Sequence, residues 1–195
     1  LALTHAVIVR IFFDDSRAKV LKEAQKIKSA LEKKGISVHL DDRDGYSPGW
    51  KFNEWEMKGV PVRIELGPRD LEKKQAMAAR RDTGEKQALS LAGIDAKIKP
   101  LLEQMQHDLY VKAEKFLQQS IVKAENLKDA EKAVSAGKVA FAPWCGTDKC
   151  EEKWKERTNA KSLNSPLEQP KMKNGQVCFA CKEKAASWFY IGKSY

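Results

Sequence analysis

In the first part of the chain the spacing of hydrophobic positions changes from that of a strand to that of a helix and back. Residues 6–13 are almost continuously apolar and β-branched, which is typical of a strand buried on both faces. From Val20 to Leu31 the apolar positions recur at helical spacing, and Gly35 follows as a helix-ending residue. Residues 36–40 alternate again. The order strand, helix, strand predicts a right-handed crossover and an α/β sheet.

The pattern continues with a predicted helix over residues 50–58 and a third strand over residues 60–66. In that strand the apolar residues, Val60 included, alternate with Arg63 and Glu65, which predicts one apolar and one charged face. The remaining predicted elements are a hairpin around residues 82–85, a long helix over 94–121 that contains Pro100, a shorter helix over 127–136 and a strand over 139–142.

Charge points to polyanionic partners. The chain has 36 Lys and Arg against 27 Asp and Glu, a formal charge of +9, which favours nucleic acid first and an anionic membrane second. Many basic proteins bind neither, so charge alone does not decide. No apolar run approaches the ~20 residues that span a bilayer. The start lacks a signal peptide and an initiator Met, so we expect a cytoplasmic fragment of a longer protein.

Four cysteines form two close pairs in the last third of the chain. Cys145 and Cys150 are separated by four residues, and Cys178 and Cys181 by two. Such pairs place four thiolates around one tetrahedral ion, so the spacing predicts a structural zinc site. With few apolar residues nearby, we expect the metal to stand in for a core. A redox pair at Cys178 and Cys181, or two disulfides in a secreted protein, are the alternatives.

Charged residues of both signs cluster around the third strand and the hairpin: Arg63, Glu65, Arg69, Asp70, Arg80, Arg81 and Lys86. A solvated sheet edge with compensating charges is the ordinary explanation. The alternative is single-stranded RNA, since cations bind phosphates, carboxylates accept from base N–H groups, and aromatic rings stack on splayed bases.

Residues 47–70, SPGWKFNEWEMKGVPVRIELGPRD, resemble the anticodon-domain signature of prolyl-tRNA synthetases. Residues 80–86 resemble the hairpin that follows in the eukaryotic and archaeal type. The two ends of the zinc region are similar as well, namely Cys145-Gly146 with Cys150-Glu151 and the tail over residues 188–195. The resemblance covers the chain from about Asp41 to its end.

The resemblance implies a mixed sheet flanked by helices, the class II synthetase anticodon-binding fold, over residues 1–115. A small α+β zinc-binding domain would follow over residues 116–195. The whole enzyme of this family ligates proline to its tRNA with ATP and Mg²⁺ in an upstream catalytic domain, and it dimerises mainly through that domain. We therefore expect a catalytically inactive, tRNA-binding fragment that contacts no membrane.

Site residues follow from the same resemblance. Glu56, Arg63, Arg69 and Asp70 fall on family positions associated with anticodon bases, and Lys86 is a further candidate contact. For proline the anticodon carries two guanines. A carboxylate, Glu56 or Asp70, can accept from guanine N1 and N2, whereas Arg63 or Arg69 can donate to O6 and N7.

Other residues receive no chemical role. Trp50, Phe52 and Trp55 are expected in the core or at a domain interface, and no residue is assigned to catalysis. The main alternative function is a free-standing RNA-binding module without enzymatic activity, and the second is a redox protein that uses Cys178 and Cys181.

Overall fold

The computed structural model describes residues 2–12 and 15–193, so the predictions made for Phe13, Ser194 and Tyr195 lie outside the described residues. The chain divides into two compact units, Leu1–Val111 and Lys112–Tyr195. The predicted boundary between residues 115 and 116 lies slightly further along the same helix. None of the helices in the described ranges is long and apolar enough to cross a bilayer.

The first unit is built on a five-stranded mixed sheet in the order β2-β1-β3-β4-β5. The strands β1, β2 and β3 are parallel, whereas β4 runs antiparallel to both of its neighbours, β3 and β5. The mixed α/β fold predicted from the sequence is confirmed. The strands are β1 (Ala6–Arg10), β2 (Val38–Asp41), β3 (Val62–Leu66), β4 (Gln75–Arg80) and β5 (Lys86–Ser90).

Helices cover the two faces of this sheet unequally. They are α1 (Arg17–Glu32), α2 (Pro48–Met57), α3 (Pro68–Glu72) and α4 (Ile94–Ser120). The apolar stripe of α1 and the first half of α4 pack on the face that carries Ile8 and Ile64. On the other face Trp55 of α2 packs against Val7 and Val9 of β1. The second layer therefore sits over β1, and the neighbouring β3–β4–β5 part of that face carries both charged and apolar side chains: Arg63, Glu65, Lys86, Met77, Ala79 and Ala88.

Local sequence signals account for most element ends. Gly35 follows α1 with a φ of +75°, in the left-handed region that glycine tolerates. The hydroxyl of Ser47 caps α2 by accepting a hydrogen bond from the backbone N–H of Trp50 at 3.3 Å. Pro100 lies inside α4 without ending it. Val60 departs from the prediction, because it lies outside β3 and packs on the Trp55 side of the sheet.

The second unit contains a four-stranded sheet in the order β6-β7-β9-β8. Trp154, Phe179 and Phe189 are fully or almost fully buried together with Ile191. The expectation that a metal stands in for a missing core is therefore wrong: the unit has an aromatic core that includes Cys150 and Cys178, and Cys145 and Cys181 pack against it. Its elements are β6 (Ile121–Lys123), α5 (Leu127–Ser135), β7 (Val139–Trp144), α6 (Asp148–Thr158), β8 (Lys161–Ser162) and β9 (Ser187–Gly192).

Candidate nucleic-acid interface and metal centre

Three charged side chains lie in a row on the uncovered part of the sheet. The backbone register sets Arg63 opposite Ala79, and Ala79 opposite Lys86, so Arg63, Glu65 and Lys86 share one face. Glu65, only 6% exposed, accepts from Arg63 Nε at 3.0 Å and from Lys86 Nζ at 2.9 Å. The predicted contacts Arg63 and Lys86 are thus joined by a carboxylate. We call Arg63, Glu65 and Lys86 the charged row.

Phe52 of α2 borders the charged row. The Arg63 guanidinium lies 4.2 Å from the centre of the Phe52 ring, and Lys86 Nζ lies 5.6 Å from it. Attraction between a cation and an aromatic face and the ion pairs with Glu65 together restrain both side chains. A guanidinium has five N–H donors, and Glu65 takes up Nε and Nη2 only. Arg63 therefore keeps donors for a ligand in a restrained orientation.

Glu56 lies at the end of α2 beside the start of β3. Its backbone carbonyl accepts from Arg81 Nε at 3.0 Å, and the backbone N–H of Arg81 donates to the Pro61 carbonyl at 2.9 Å. Glu56, Arg63 and Arg81 together line a small cavity of about 60 Å³. The sequence placed Arg81 in the charged cluster but not among the predicted anticodon contacts, although its position next to Arg80 in the hairpin signature could have identified it.

Arg69 and Asp70 lie apart from this cluster, in α3 beyond the carboxyl end of β3. With about 3.3 Å per residue, the five residues of β3 set them more than about 13 Å from its start. Asp70 Oδ2 accepts from the Gly67 backbone N–H at 3.0 Å, so this carboxylate closes the turn into α3. Arg69 is exposed. The structure therefore brings together Glu56, Arg63 and Lys86, but not all five predicted residues.

Unlike its neighbour Arg81, Arg80 is held by two carboxylates. It donates to Asp82 at 3.0 and 2.6 Å and to Asp108 of α4 at 2.6 Å. Hydrogen bonds from Arg80 hold the pKa of Asp82 and the pKa of Asp108 below their usual values. Arg80 thus ties the hairpin to α4.

Asp41 at the end of β2 is a fully buried acceptor under α2. It accepts from Arg43 at 2.7 Å and from Trp55 Nε1 at 2.8 Å, and Lys51 Nζ lies 3.3 Å away. Burial opposes the charged form, but the hydrogen bonds from Arg43 and Trp55 outweigh it and keep the pKa of Asp41 well below its usual value. This network anchors the helix that carries Phe52 and Glu56.

The three aromatic residues of α2 do not share one environment. Trp55 is buried as predicted and Phe52 is partly buried. Trp50 is 45% exposed and stacks on the exposed Tyr46 with ring centres 4.2 Å apart. The expectation of a core or interface position is not met within this unit for Trp50, because it lies on the solvent side of the first turn of α2.

The four cysteines of the second unit converge. Their Sγ atoms all lie within 4.8 Å of one another, and the pairs Cys150–Cys178 and Cys145–Cys181 are each 3.6 Å apart. A tetrahedral ion with Zn–S bonds of about 2.3 Å has S···S edges of about 3.8 Å, close to these separations. A disulfide needs about 2.05 Å, and all four are free thiols. Four closely spaced cysteines therefore form a site that can hold a metal ion.

Short turns position these thiols. Gly146, with a φ of +81°, turns the chain between β7 and α6, and Cys150 lies in the first turn of α6. In the second turn the Cys178 backbone N–H donates to the Glu183 carbonyl at 2.7 Å, and Phe179 N–H donates to Pro143 of β7 at 2.9 Å. Burial raises the pKa of Cys150. Burial also opposes ionisation of Cys145, but hydrogen bonds with Thr147 lower its pKa to about 7.

Comparison with known proteins gives a family match for each of the two units. A family model described as an anticodon binding domain matches residues 5–101, and one described as the C-terminal domain of prolyl-tRNA synthetase matches residues 127–195. The cytoplasmic proline–tRNA ligase of Arabidopsis thaliana is 38% identical over 200 residues, which is 100% of this chain and 38% of the relative. The proline–tRNA ligase of Pyrobaculum islandicum is 39% identical, over 100% of this chain and 41% of the relative.

The first unit is thus an anticodon-binding domain, of the class that aminoacyl-tRNA synthetases carry. The family model that matches the second unit names a single enzyme, prolyl-tRNA synthetase, and so identifies which synthetase family is meant. The chain belongs to the prolyl-tRNA synthetase family and corresponds to its C-terminal part. It spans about two fifths of the length of the curated relatives it matches.

Proposed function

We propose that this chain is the part of a prolyl-tRNA synthetase that reads the anticodon of proline tRNA. The observation that carries the proposal is the charged row, in which Glu65 holds Arg63 and Lys86 beside the ring of Phe52. RNA loops are recognised through unstacked bases that meet donors, acceptors and aromatic faces at fixed positions. The charged row and the neighbouring Phe52 ring together provide donors, an acceptor and an aromatic face on one side of the sheet.

Guanine recognition follows from the donors and acceptors available there. Guanine presents acceptors at O6 and N7, which suit the remaining donors of Arg63. Its N1 and N2 groups donate, which suits the exposed carboxylate of Glu56 at the neighbouring cavity. Arg81 shares that cavity, and Lys86 is placed for a phosphate or a base oxygen. Arg69 and Asp70 would contact a different nucleotide, because α3 lies at the other end of β3.

The whole enzyme would join proline to its tRNA. We assign ATP, Mg²⁺ and the chemistry to a catalytic domain outside this chain, and we expect the chain alone to be inactive. Dimerisation would depend mainly on that domain, and the cytoplasm is the expected compartment. Within this chain tRNA binding belongs to the domain over residues 1–115.

The domain over residues 116–195 would hold one structural zinc ion through Cys145, Cys150, Cys178 and Cys181. Zinc bound by four thiolates contributes folding free energy and leaves no coordination position for a substrate. The four thiols would fix the two turns that join β7, α6 and β9.

Photo-crosslinking tests the proposed surface directly. An anticodon stem-loop of proline tRNA with 6-thioguanosine at either anticodon guanine should crosslink to residues 52–65 or 81–86 on irradiation. The same base placed in the stem serves as the matched control and should not mark these residues. Crosslinks from the anticodon guanines that fall only outside these segments would overturn the assignment.

A further inference from the structure

The solvent side of α1 carries a stripe of lysines. Lys19, Lys22, Lys26 and Lys33 are all exposed, and spacings of three, four and seven residues put them along one side of the helix. At 1.5 Å per residue, the stripe is about 21 Å long. Lys34 follows the stripe at its C-terminal end, and Lys74 faces it across a groove. These six residues are called the lysine surface: Lys19, Lys22, Lys26, Lys33, Lys34 and Lys74.

Two shallow grooves run along the lysine surface. One lies between α1 and the start of α4, and the other lies between α1 and the ends of α3 and β5. Lys22 and Lys26 line both. The acidic residues that line these grooves are Glu23, which pairs with Lys26 at 2.9 Å, and Asp95. Counted over the described part of the chain, the grooves combine six lysines with two carboxylates.

Neighbouring lysines of this stripe repel one another, and the pair between Glu23 and Lys26 offsets part of that repulsion. Like charges three or four residues apart repel by a few tenths of a kcal/mol each, and the stripe has two such neighbours, Lys19–Lys22 and Lys22–Lys26. The first turn of α1 has no acidic residue, so Lys19 lies near the positive end of the helix dipole uncompensated. A polyanion bound along the stripe would reverse both effects.

We infer that the lysine surface binds the sugar-phosphate backbone of RNA, independently of sequence. Lysines act as point charges for phosphates, and the stripe holds no arginine for reading base edges. Between the lysines lie Gln25, Ser29 and Ala30, while the apolar side of α1 is buried in the core. A membrane-binding helix needs an apolar side free to insert, so RNA is the better fit.

The lysine surface is separate from the charged row. α1 packs on the face of the sheet that carries Ile8 and Ile64, and the charged row lies on the opposite face. This binding goes beyond anticodon reading and does not depend on it. It would give the domain a second contact with RNA, made to a helical stem rather than to unpaired bases.

Salt-dependent binding to a blunt RNA duplex of about 20 base pairs, without loop or proline anticodon, tests this inference. Each lysine–phosphate contact contributes about 0.9 to the slope of log K against log salt. The triple variant Lys22→Gln, Lys26→Gln, Lys33→Gln should lower that slope by about 2–3 and weaken binding about tenfold or more near 0.1 M salt. The control variant Lys128→Gln, Lys171→Gln, Lys173→Gln removes equal charge from exposed positions of the second unit and should change the slope much less.

Equal slopes for the two triple variants would overturn the inference. So would a loss of binding to anionic phosphatidylserine vesicles with duplex binding intact, because that result would assign the stripe to a lipid surface. Thermal unfolding of the α1 variant should be unchanged or slightly higher, which separates lost binding from misfolding. Any preference for anticodon guanines should survive in the α1 variant, so the two proposals can fail separately.

Discussion

Arg63 donates from Nε to Oε1 of Glu65 at 3.0 Å, between side chains two residues apart on the same face of β3. The pair is only slightly exposed, with Arg63 at 17% and Glu65 at 8% of their side-chain surfaces. A restrained guanidinium loses less entropy when it binds a planar ligand than a freely moving one does. The alternation seen in the sequence therefore corresponds to an arginine held in place on an open sheet face.

Replacing Arg63 should weaken anticodon binding selectively. We expect Arg63→Ala to cost about 1–3 kcal/mol on the proline anticodon stem-loop, and less on a loop whose guanines are replaced. Isothermal titration with both loops measures the difference. Arg157→Ala, an exposed position in α6 of the second unit, is the control and should change neither affinity. Equal losses on both loops would reduce Arg63 to a phosphate contact.

Asp70 can be tested by separating its turn-closing role from base recognition. Asp70→Asn keeps an acceptor for the Gly67 N–H, whereas Asp70→Ala removes it and should lower the free energy of unfolding by about 0.5–2 kcal/mol. Chemical denaturation measures this difference. If Asp70 also reads guanine, Asp70→Asn should weaken binding while the fold stays intact. Unchanged affinity would leave Asp70 with the turn alone.

Arg69, next to it, offers a separate test. Arg69→Ala should weaken stem-loop binding by about 1–3 kcal/mol without affecting stability, because the side chain is exposed. Lys73→Ala removes another exposed positive charge at the end of the same short helix and is the matched control. A loss no larger for Arg69→Ala than for the control would remove Arg69 from the base-reading site.

The free energy of unfolding should depend on pH in the acidic range because of Asp41. Since its folded pKa lies well below the ordinary carboxyl value near 4, its contribution is fully present above that value and is lost progressively as the pH falls from there toward the folded pKa. Asp41→Ala leaves the buried Lys51 without its carboxylate and should cost about 3–5 kcal/mol. Urea unfolding at pH 7 and pH 3 should show a smaller pH effect in the variant. Asp44→Asn, in an exposed pair with Arg17, should behave like the parent chain.

Metal removal should affect the two units differently. We expect about one zinc per chain by elemental mass spectrometry, and loss of it in Cys178→Ser. Hydrogen exchange should then accelerate in α6 and β9 but not in β1 or β3, because the thiols fix only the turns of the second unit. Added zinc should restore protection after chelation. A chain that binds no metal and forms a reversible Cys178–Cys181 disulfide would support the redox alternative instead.

The sheet of the first unit could be predicted because its signals are local. The buried run at Ala6–Arg10, the glycine after α1 and the hairpin before β5 each determine a structure from a few neighbouring residues. The burial of Glu65 and the contact of Arg63 with the Phe52 ring could not be predicted, because α2 and β3 meet only through the tertiary fold. Trp50 does not lie in the core, because its position in the first turn of α2 faces solvent, and a place at a domain interface stays a prediction.

In the second unit the cysteine spacing anticipated the cluster but not the fold around it. The helix α6 was missed because its sequence is rich in Lys and Glu with few apolar residues, although its Trp154 is completely buried. Strand β9 lies in a segment that the resemblance marked only as a tail. Spacing defines which thiols can meet, whereas packing partners distant in sequence define the core.

The most direct test of anticodon reading is the affinity of this chain for two stem-loops at one fixed, near-physiological salt concentration. One is the proline anticodon stem-loop, and the other differs only by replacement of its two guanines. The account predicts clearly tighter binding to the guanine-containing loop, since Arg63 and Glu56 lie beside the open sheet face. Equal affinity for the two loops would contradict it and would mean that the chain binds RNA by charge alone.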